Sequence, residues 1–348
     1  MKLVPPLIAR LVSYLLGKCS SLTGPMSRLL RGLSWGILPA FLAMPLAMAQ
    51  SFPSQGVKLV VPFTAGTGMD TIARAVAPRL AERLGQSVVV QNVPGASGNI
   101  GTDQVAKASP DGYTLLVGAN TLLMASQLYA NVPFDPLRDF APVSMAAYGT
   151  LMLVANPKTG IKDVKSLLEQ ARARPGGITY GSPGIGTPHH MAMELFKVQA
   201  KLFMLHVPYR GTAGYTQDLL SGEINVGFLP VHIAQSFVAA GRLNALAVGS
   251  ARRHPVASAV PTLQELGQKG VDVDMWYAVM APAKTPIPVV NRLNTEISAI
   301  LKLPEVRELL GRAGLDAASS SPEELMSIMR KDYPRWGDVI RTNGIKAE

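Results

Sequence analysis

The chain has 348 residues, 48% of them hydrophobic and 16% charged, and 33 basic against 23 acidic side chains give a formal net charge of +10. That apolar content excludes a disordered chain, and 32 Gly with 27 Pro in no fixed period exclude a collagen-like one. Residues 1–49 carry Lys2, Arg10, Lys18, Arg28 and Arg31 and no acid, so half of the charge lies there; the mild surplus beyond is not clustered as nucleic-acid binding requires.

Residues 32–46 form an apolar run behind Arg28 and Arg31 that ends at Ala47, Met48 and Ala49. A basic flank, a short apolar stretch and a small-x-small site predict a signal peptide, residues 1–49, cleaved after Ala49. Pro39, Pro45 and a length below the roughly 20 residues that cross a bilayer argue against a membrane anchor. Met26, Ser27 and Arg28 make an ordinary start, so the initiator is predicted at Met26. The single cysteine, Cys19, precedes it, and processing leaves a chain without thiol, disulfide or Cys-zinc chemistry.

From residue 52 one grammar repeats: a short β-rich run, a Gly-rich turn, then a helix-period segment. Residues 58–63 lead through the turn 64–70 into a helix over 71–84, which Asp70 is placed to cap. Residues 87–90 lead through Asn92, Val93, Pro94 and Gly95 to a helix near 98–108, and 114–117 lead through Asn120 and Thr121 to a short one. An apolar run at 151–154 is followed by the break Asn156-Pro157. Residues 178–180 lead through 181–187 to a helix with Thr187 as N-cap and Pro188 in the first position, where a missing N–H is harmless. Residues 206–209 lead through Arg210, Gly211 and Thr212 to a helix over 213–220; 224–228 and 245–248 are further strands. A last strand at 275–280 is closed by Pro282, Pro286 and Pro288, and only helical patterns follow.

This alternation predicts an α/β protein with mainly parallel sheets flanked by helices. The lone late strand reads as a return to the first domain. One lobe is therefore expected from 52–152 plus 277–348, and the other from 153–276.

In such sheets ligands bind beyond the carboxyl ends of the strands, where helix N-termini present unpaired N–H groups and about half a positive charge. The turns 64–70 and 181–188 are built for that, with Gly66, Gly68, Gly184 and Gly186 allowing close backbone approach and threonine hydroxyls as donors. If they come from opposite lobes, they suit a ligand with a carboxylate at each end. Arg210 follows a strand directly and is a candidate carboxylate donor, a surface ion pair being the alternative. Trp276 and Tyr277 read as inter-lobe packing.

Several chemistries are disfavoured. The first turn lacks the third glycine of a dinucleotide fingerprint, and neither turn is followed by a phosphate-loop Gly-Lys-Ser/Thr. Tyr180 two residues before Ser182 spoils the nucleophile-elbow pattern. His189 and His190 project about 100° apart on a helix, so one metal ion would need ligands the sequence does not place. No metal, cofactor or catalytic residue is expected.

Taken together, several segments resemble the Bug family, the substrate-binding proteins of tripartite tricarboxylate transporters. They include Val61-Pro62-Phe63 through Asp70 to Ala73-Arg74, Asn92 through Gly101, Pro110-Asp111-Gly112-Tyr113, Phe134-Asp135-Pro136, Tyr180 through His190, Val207-Pro208-Tyr209-Arg210-Gly211 and Val260-Pro261-Thr262, spread over about 54–340. The resemblance implies a type II-like, two-lobed periplasmic binding protein. It closes on a small carboxylate in a cleft between the lobes and delivers it to membrane permease subunits, as a monomer without enzyme activity. Carried over position by position, it implies ligand contacts from Phe63, Thr64, Ala65, Gly66, Thr67, Gly68 and Asp70 and from Ser182, Gly184, Ile185, Gly186, Thr187 and His190. Asn120, Thr121, Tyr209 and Arg210 are secondary candidates. Thr64 stands where proline is usual, Pro188 and His189 replace smaller residues, and Leu229-Pro230 replaces a common acid. The last departure favours a di- or tricarboxylate or an aromatic acid over an amino acid. A sensor feeding a two-component kinase is the alternative, and an exported hydrolase or lyase stands behind it.

Overall fold

The computed structural model describes residues 52–347 except 272 and 274, so the expectations for the signal peptide, Met26 and Cys19 lie outside the described residues. Two sheets organise the described chain. In the first, β1 (Val57–Val61) pairs parallel with β2 (Val88–Asn92) and β3 (Thr114–Ala119). Beyond β3 the ladder is antiparallel: β10 (Met275–Pro282) lies between β3 and β4 (Phe140–Gly149), and β11 (Leu315–Ala317) closes the edge. The second sheet has the order β7 (Leu205–Pro208), β6 (Thr179–Ser182), β8 (Val226–Pro230), β5 (Leu151–Ala155), β9 (Asn244–Val248).

Both sheets are mixed rather than mainly parallel, and the reason is the route of the chain. It leaves β4 and enters β5 across the single residue Thr150, and it returns from β9 to β10 with no α-helix between them, only a 3-10 turn at Pro255–Ala257. A strand entering at the end where its neighbours finish must run against them. Accordingly β5 is antiparallel to β8 and β9, and β10 to β3 and β4. Leu151 and Met152 thus pair in the second sheet, and Met275 and Trp276 in the first.

The strands with carboxyl ends at the crossing point feed helices whose N-termini start there. In the first lobe these are α1 (Gly68–Leu84), α2 (Asn99–Ala106) and α3 (Thr121–Leu128). In the second, α4 (Val164–Ala173) precedes β6, and α5 (Pro188–Ala200), α6 (Thr212–Ser221) and α7 (Val231–Ala239) each follow a strand of the sheet. The tail adds α8 (Ile287–Leu301), α9 (Pro304–Arg312) and α10 (Pro322–Thr342), the last opened by a Ser321–Glu324 capping box that satisfies two orphan N–H groups.

Alternation along the strands sorts the core. Leu59, Val61, Leu115 and Val117 face one side with Ile72, Val76 and Leu80 of α1, while Val60, Leu116 and Met280 face the other with Leu325 and Met329 of α10. Trp276 belongs to this second face, where its Nε1 donates to Asp332 Oδ2 at 2.8 Å. It packs inside the first lobe, not between lobes, because adjacent strand residues point to opposite faces and its neighbours Met275 and Tyr277 turn towards the cleft.

Candidate functional site: a cleft ringed by helix N-termini

The first turn is held from behind. Thr67, not Asp70, caps α1, its side chain accepting from Asp70 N at 3.4 Å. Asp70 sits inside the first turn with its carboxylate accepting from Gly66 N, Arg74 Nε and Asn92 Nδ2, each at 3.0 Å. Asn92 also donates to Phe63 O at 3.0 Å, tying the end of β2 to the end of β1. Burial would raise the Asp70 pKa, but the hydrogen bonds from Arg74, Gly66 and Asn92 and the Arg74 charge outweigh it and hold the carboxyl below its ordinary value. Gly66 lies at φ +83°, a conformation glycine adopts freely.

The second turn is held in the same manner by different residues. Thr187 caps α5 and Pro188 opens it, as expected. Thr187 Oγ1 donates to Gly184 O at 2.7 Å, and Gly186 N donates to His190 Nδ1 at 3.3 Å. Ser182 Oγ lies 2.7 Å from His206 Nε2 and also engages Gly184 N and O, at 3.2 and 3.1 Å. The His206 ring stacks on Tyr180 with centroids 4.7 Å apart and stands 4.5 Å from His190. Burial lowers the pKa of both histidines to about 3, with the Lys197 charge acting in the same direction, so both are neutral.

The Ser182–His206 pair was not legible, because its members lie on adjacent strands 24 residues apart. It does not assemble a nucleophile in the usual sense. His206 Nδ1 has no hydrogen-bond partner among the described residues, so no carboxylate orients the ring, and Ser182 is fully buried with its hydroxyl committed to Gly184. Its role is to brace the turn. Ser182→Ala is expected to lower stability by about 1–2 kcal/mol, since it strands a buried imidazole nitrogen and the Gly184 N–H. Urea unfolding measures this, and an unchanged midpoint would show that the brace is idle.

Between the turns lies a narrow cavity of about 30 Å³. The first lobe contributes Phe63, Thr67, Gly68, Thr121 and Tyr277 to its wall, and the second contributes Thr187, His189, Thr212 and Pro230. These residues mark the N-termini of α1, α3, α5, α6 and α7, each with unpaired N–H groups and about half a positive charge. No charged side chain is among the described residues of this wall. The arrangement can hold an anion by backbone dipoles alone.

A second, outer compartment of about 190 Å³ is lined by Phe63, Ser97, Gly184, Ile185, Tyr209 and Arg210 among others. Arg210 is the charged member of that wall and is exposed. Tyr209 presents its ring, because its hydroxyl donates to Asp218 Oδ2 at 2.5 Å. Thr64, Ala65, Gly66, Asp70, Asn120, Ser182, Gly186 and His190 line neither compartment. Of these, Gly66, Asp70, Ser182, Gly186 and His190 spend polar atoms shaping the turns. Asn120 is buried and its N–H donates to Trp276 O at 3.1 Å.

The lobes meet along a seam beside the cavity. A Cβ on Gly211 would stand 2.4 Å from Thr64 Oγ1, one on Gly184 2.6 Å from Ser97 Oγ, and one on Gly186 3.0 Å from Ala125 Cα. Each pair spans the two lobes, so the cleft is in its closed arrangement, with both turns opening onto the same cavity.

Comparison with known proteins places this geometry. Residues 72–345 match the family model described as "Tripartite tricarboxylate transporter family receptor". The chain is 34% identical to Protein BugT of Bordetella pertussis over 323 residues, covering 92% of this chain and 99% of that protein. It is similar in structure to the periplasmic binding protein BugD, with a TM-score of 0.81 and 31% identity over 85% of this chain and 100% of BugD. Rpa4515 of R. palustris, solved with adipate, gives a TM-score of 0.81 and 34% identity over 85% and 99% of the two chains. MatC of Rhodopseudomonas palustris, with bound malate, gives 0.79 and 29% over 83% and 100%.

Proposed function

The chain belongs to the tripartite tricarboxylate transporter receptor family, whose Bug members are periplasmic solute-binding proteins, and from that premise we propose that it captures a small carboxylate in its closed cleft and hands it to the membrane permease of such a system. The observation that carries the ligand class is the convergence of five helix N-termini on a wall without charged side chains. Such a wall favours an anion and offers an ammonium group no counter-charge. Relatives solved with adipate and with malate support a carboxylate. The turns 64–70 and 182–190 form the cradle, with Thr67, Gly68, Thr121, Thr187 and Thr212 nearest the ligand and Arg210 at the mouth. The two lobes are those built on the two sheets, residues 1–49 are the export signal, and the receptor acts as a monomer without turning over its ligand.

Thermal unfolding against di-, tri- and aromatic carboxylates tests the reading. A ligand at 100 times its Kd adds about 2.7 kcal/mol, which raises the Tm of a chain this size by roughly 4 °C. A flat response across the panel overturns it.

A further inference from the structure

The inner cavity holds two side chains whose polar atoms no described residue satisfies. His189, in the first turn of α5, is 6% exposed, lines the cavity, and has no hydrogen-bond partner for either ring nitrogen among the described residues. Its ring is seated edge-on against Tyr215, centroids 6.3 Å apart, and the Tyr215 hydroxyl is committed to the Phe228 carbonyl. Packing therefore fixes the imidazole while leaving both nitrogens unused. Burial lowers its pKa to about 3, so it offers one donor and one acceptor and no charge.

Tyr277 comes from the other lobe, on β10, and lines the same cavity. Its hydroxyl hydrogen-bonds to none of the described residues, and a Cβ on Gly68 would come within 2.6 Å of it. Burial raises its pKa, so it remains a neutral phenol. The same wall carries the apolar Phe63, Met69, Ala119 and Met275 beside the four threonines of the helix starts. Buried donors and acceptors are nearly always satisfied in native proteins; the two His189 nitrogens are buried exceptions, and with the Tyr277 hydroxyl open on the same cavity wall they call for a partner from the ligand.

We propose that His189 and Tyr277, one from each lobe, are specificity-determining residues that read an uncharged hydroxyl or carbonyl on the body of the bound carboxylate. The inference rests on the carboxylate reading above and narrows it. A hydroxyl both donates and accepts, so it can satisfy an imidazole nitrogen and a phenol together. A methylene in the same place leaves both unpaired, and a site built to pair with a hydroxyl rejects the analogue without one.

Isothermal titration of the purified protein with three matched pairs tests this: succinate and malate, glutarate and 2-hydroxyglutarate, benzoate and 3-hydroxybenzoate. In at least one pair the hydroxylated acid is expected to bind about tenfold tighter or more. His189→Leu and Tyr277→Phe are each expected to bring that ratio to within about threefold while changing the affinity for the plain acid by less than about threefold. Tyr277→Phe keeps the ring packing and supplies the answer even if His189→Leu folds poorly. Equal affinities within every pair that binds, or variants that weaken both members alike, overturn the inference and leave the carboxylate reading intact. Silence from all six acids, beside a thermal shift from other carboxylates, also overturns the inference alone. Silence from every carboxylate overturns the reading beneath it.

Discussion

Gly186→Val is expected to weaken carboxylate binding by at least about 100-fold while the protein still folds. Gly186 lies at φ +76°, so any side chain there carries left-handed strain, about 1–2 kcal/mol for an L-residue. That strain is present whether the cleft is open or closed. The steric term is not. A Cβ would stand 3.0 Å from Ala125 Cα and 3.2 Å from Ala125 N, backbone atoms of α3 in the opposite lobe that cannot swing aside as a side-chain tip can. The branched valine reaches further, so the closed form is raised relative to the open one. A difference of about 2.7 kcal/mol between the two forms produces the 100-fold loss. Gly66→Ala is the control: its φ is +83°, and a Cβ there meets nothing within 4 Å. It should bind within about threefold of the parent, with Gly186→Ala far weaker. Titration of the three proteins with one carboxylate decides it. If both alanine variants lose affinity equally, turn strain and not closure is responsible.

That contrast also measures what the sequence could say. The glycine-rich turns and the Thr187–Pro188 helix start were legible because capping is local: an oxygen side chain precedes the first turn and proline opens it. The cap of α1 was not. Thr67 and Asp70 are both capping types, and the choice was made by Arg74 and by Asn92, which reaches Asp70 from β2, 22 residues away. His189 was within reach of local reasoning. Once Thr187 is the cap, the helical phase fixes which of two neighbouring histidines turns to the cleft, and His190 is spent on Gly186. Tyr277 was out of reach, because its position depends on β10 pairing antiparallel with β3 so that Tyr277 meets Ala119. The direction of β5 and β10 was hidden for a related reason. An apolar run identifies a buried strand but carries no sign of which way it runs.

The first turn supplies the larger expected effect on stability. Asp70→Ala is expected to cost about 3 kcal/mol, with the midpoint of thermal unfolding falling by roughly 5 °C. Most of that does not come from the ion pair, since the Arg74 side chain is 55% exposed and stays solvated without its partner. It comes from the hydrogen bonds gathered on the buried Asp70 carboxylate, where the half-buried Asn92 amide and the Gly66 N–H lose the acceptor they share. Losing that hub also frees the Gly66 N–H and the Phe63 carbonyl end of β1, so the cradle should bind its carboxylate more weakly. Asp70→Asn keeps the shape and one acceptor and should lose about half as much. Protonation offers an independent check, because the folded-state carboxyl is held below its ordinary value of 3.8. A depressed pKa contributes stability that is fully present above the unfolded value and is lost as pH falls through the folded one. The gap between parent and Asp70→Asn in urea unfolding should therefore be constant from pH 8 to about 5 and narrow below about 4. A gap that persists undiminished to pH 3, or a loss under about 1 kcal/mol in Asp70→Ala, would mean that the turn is held by its glycines and cap alone.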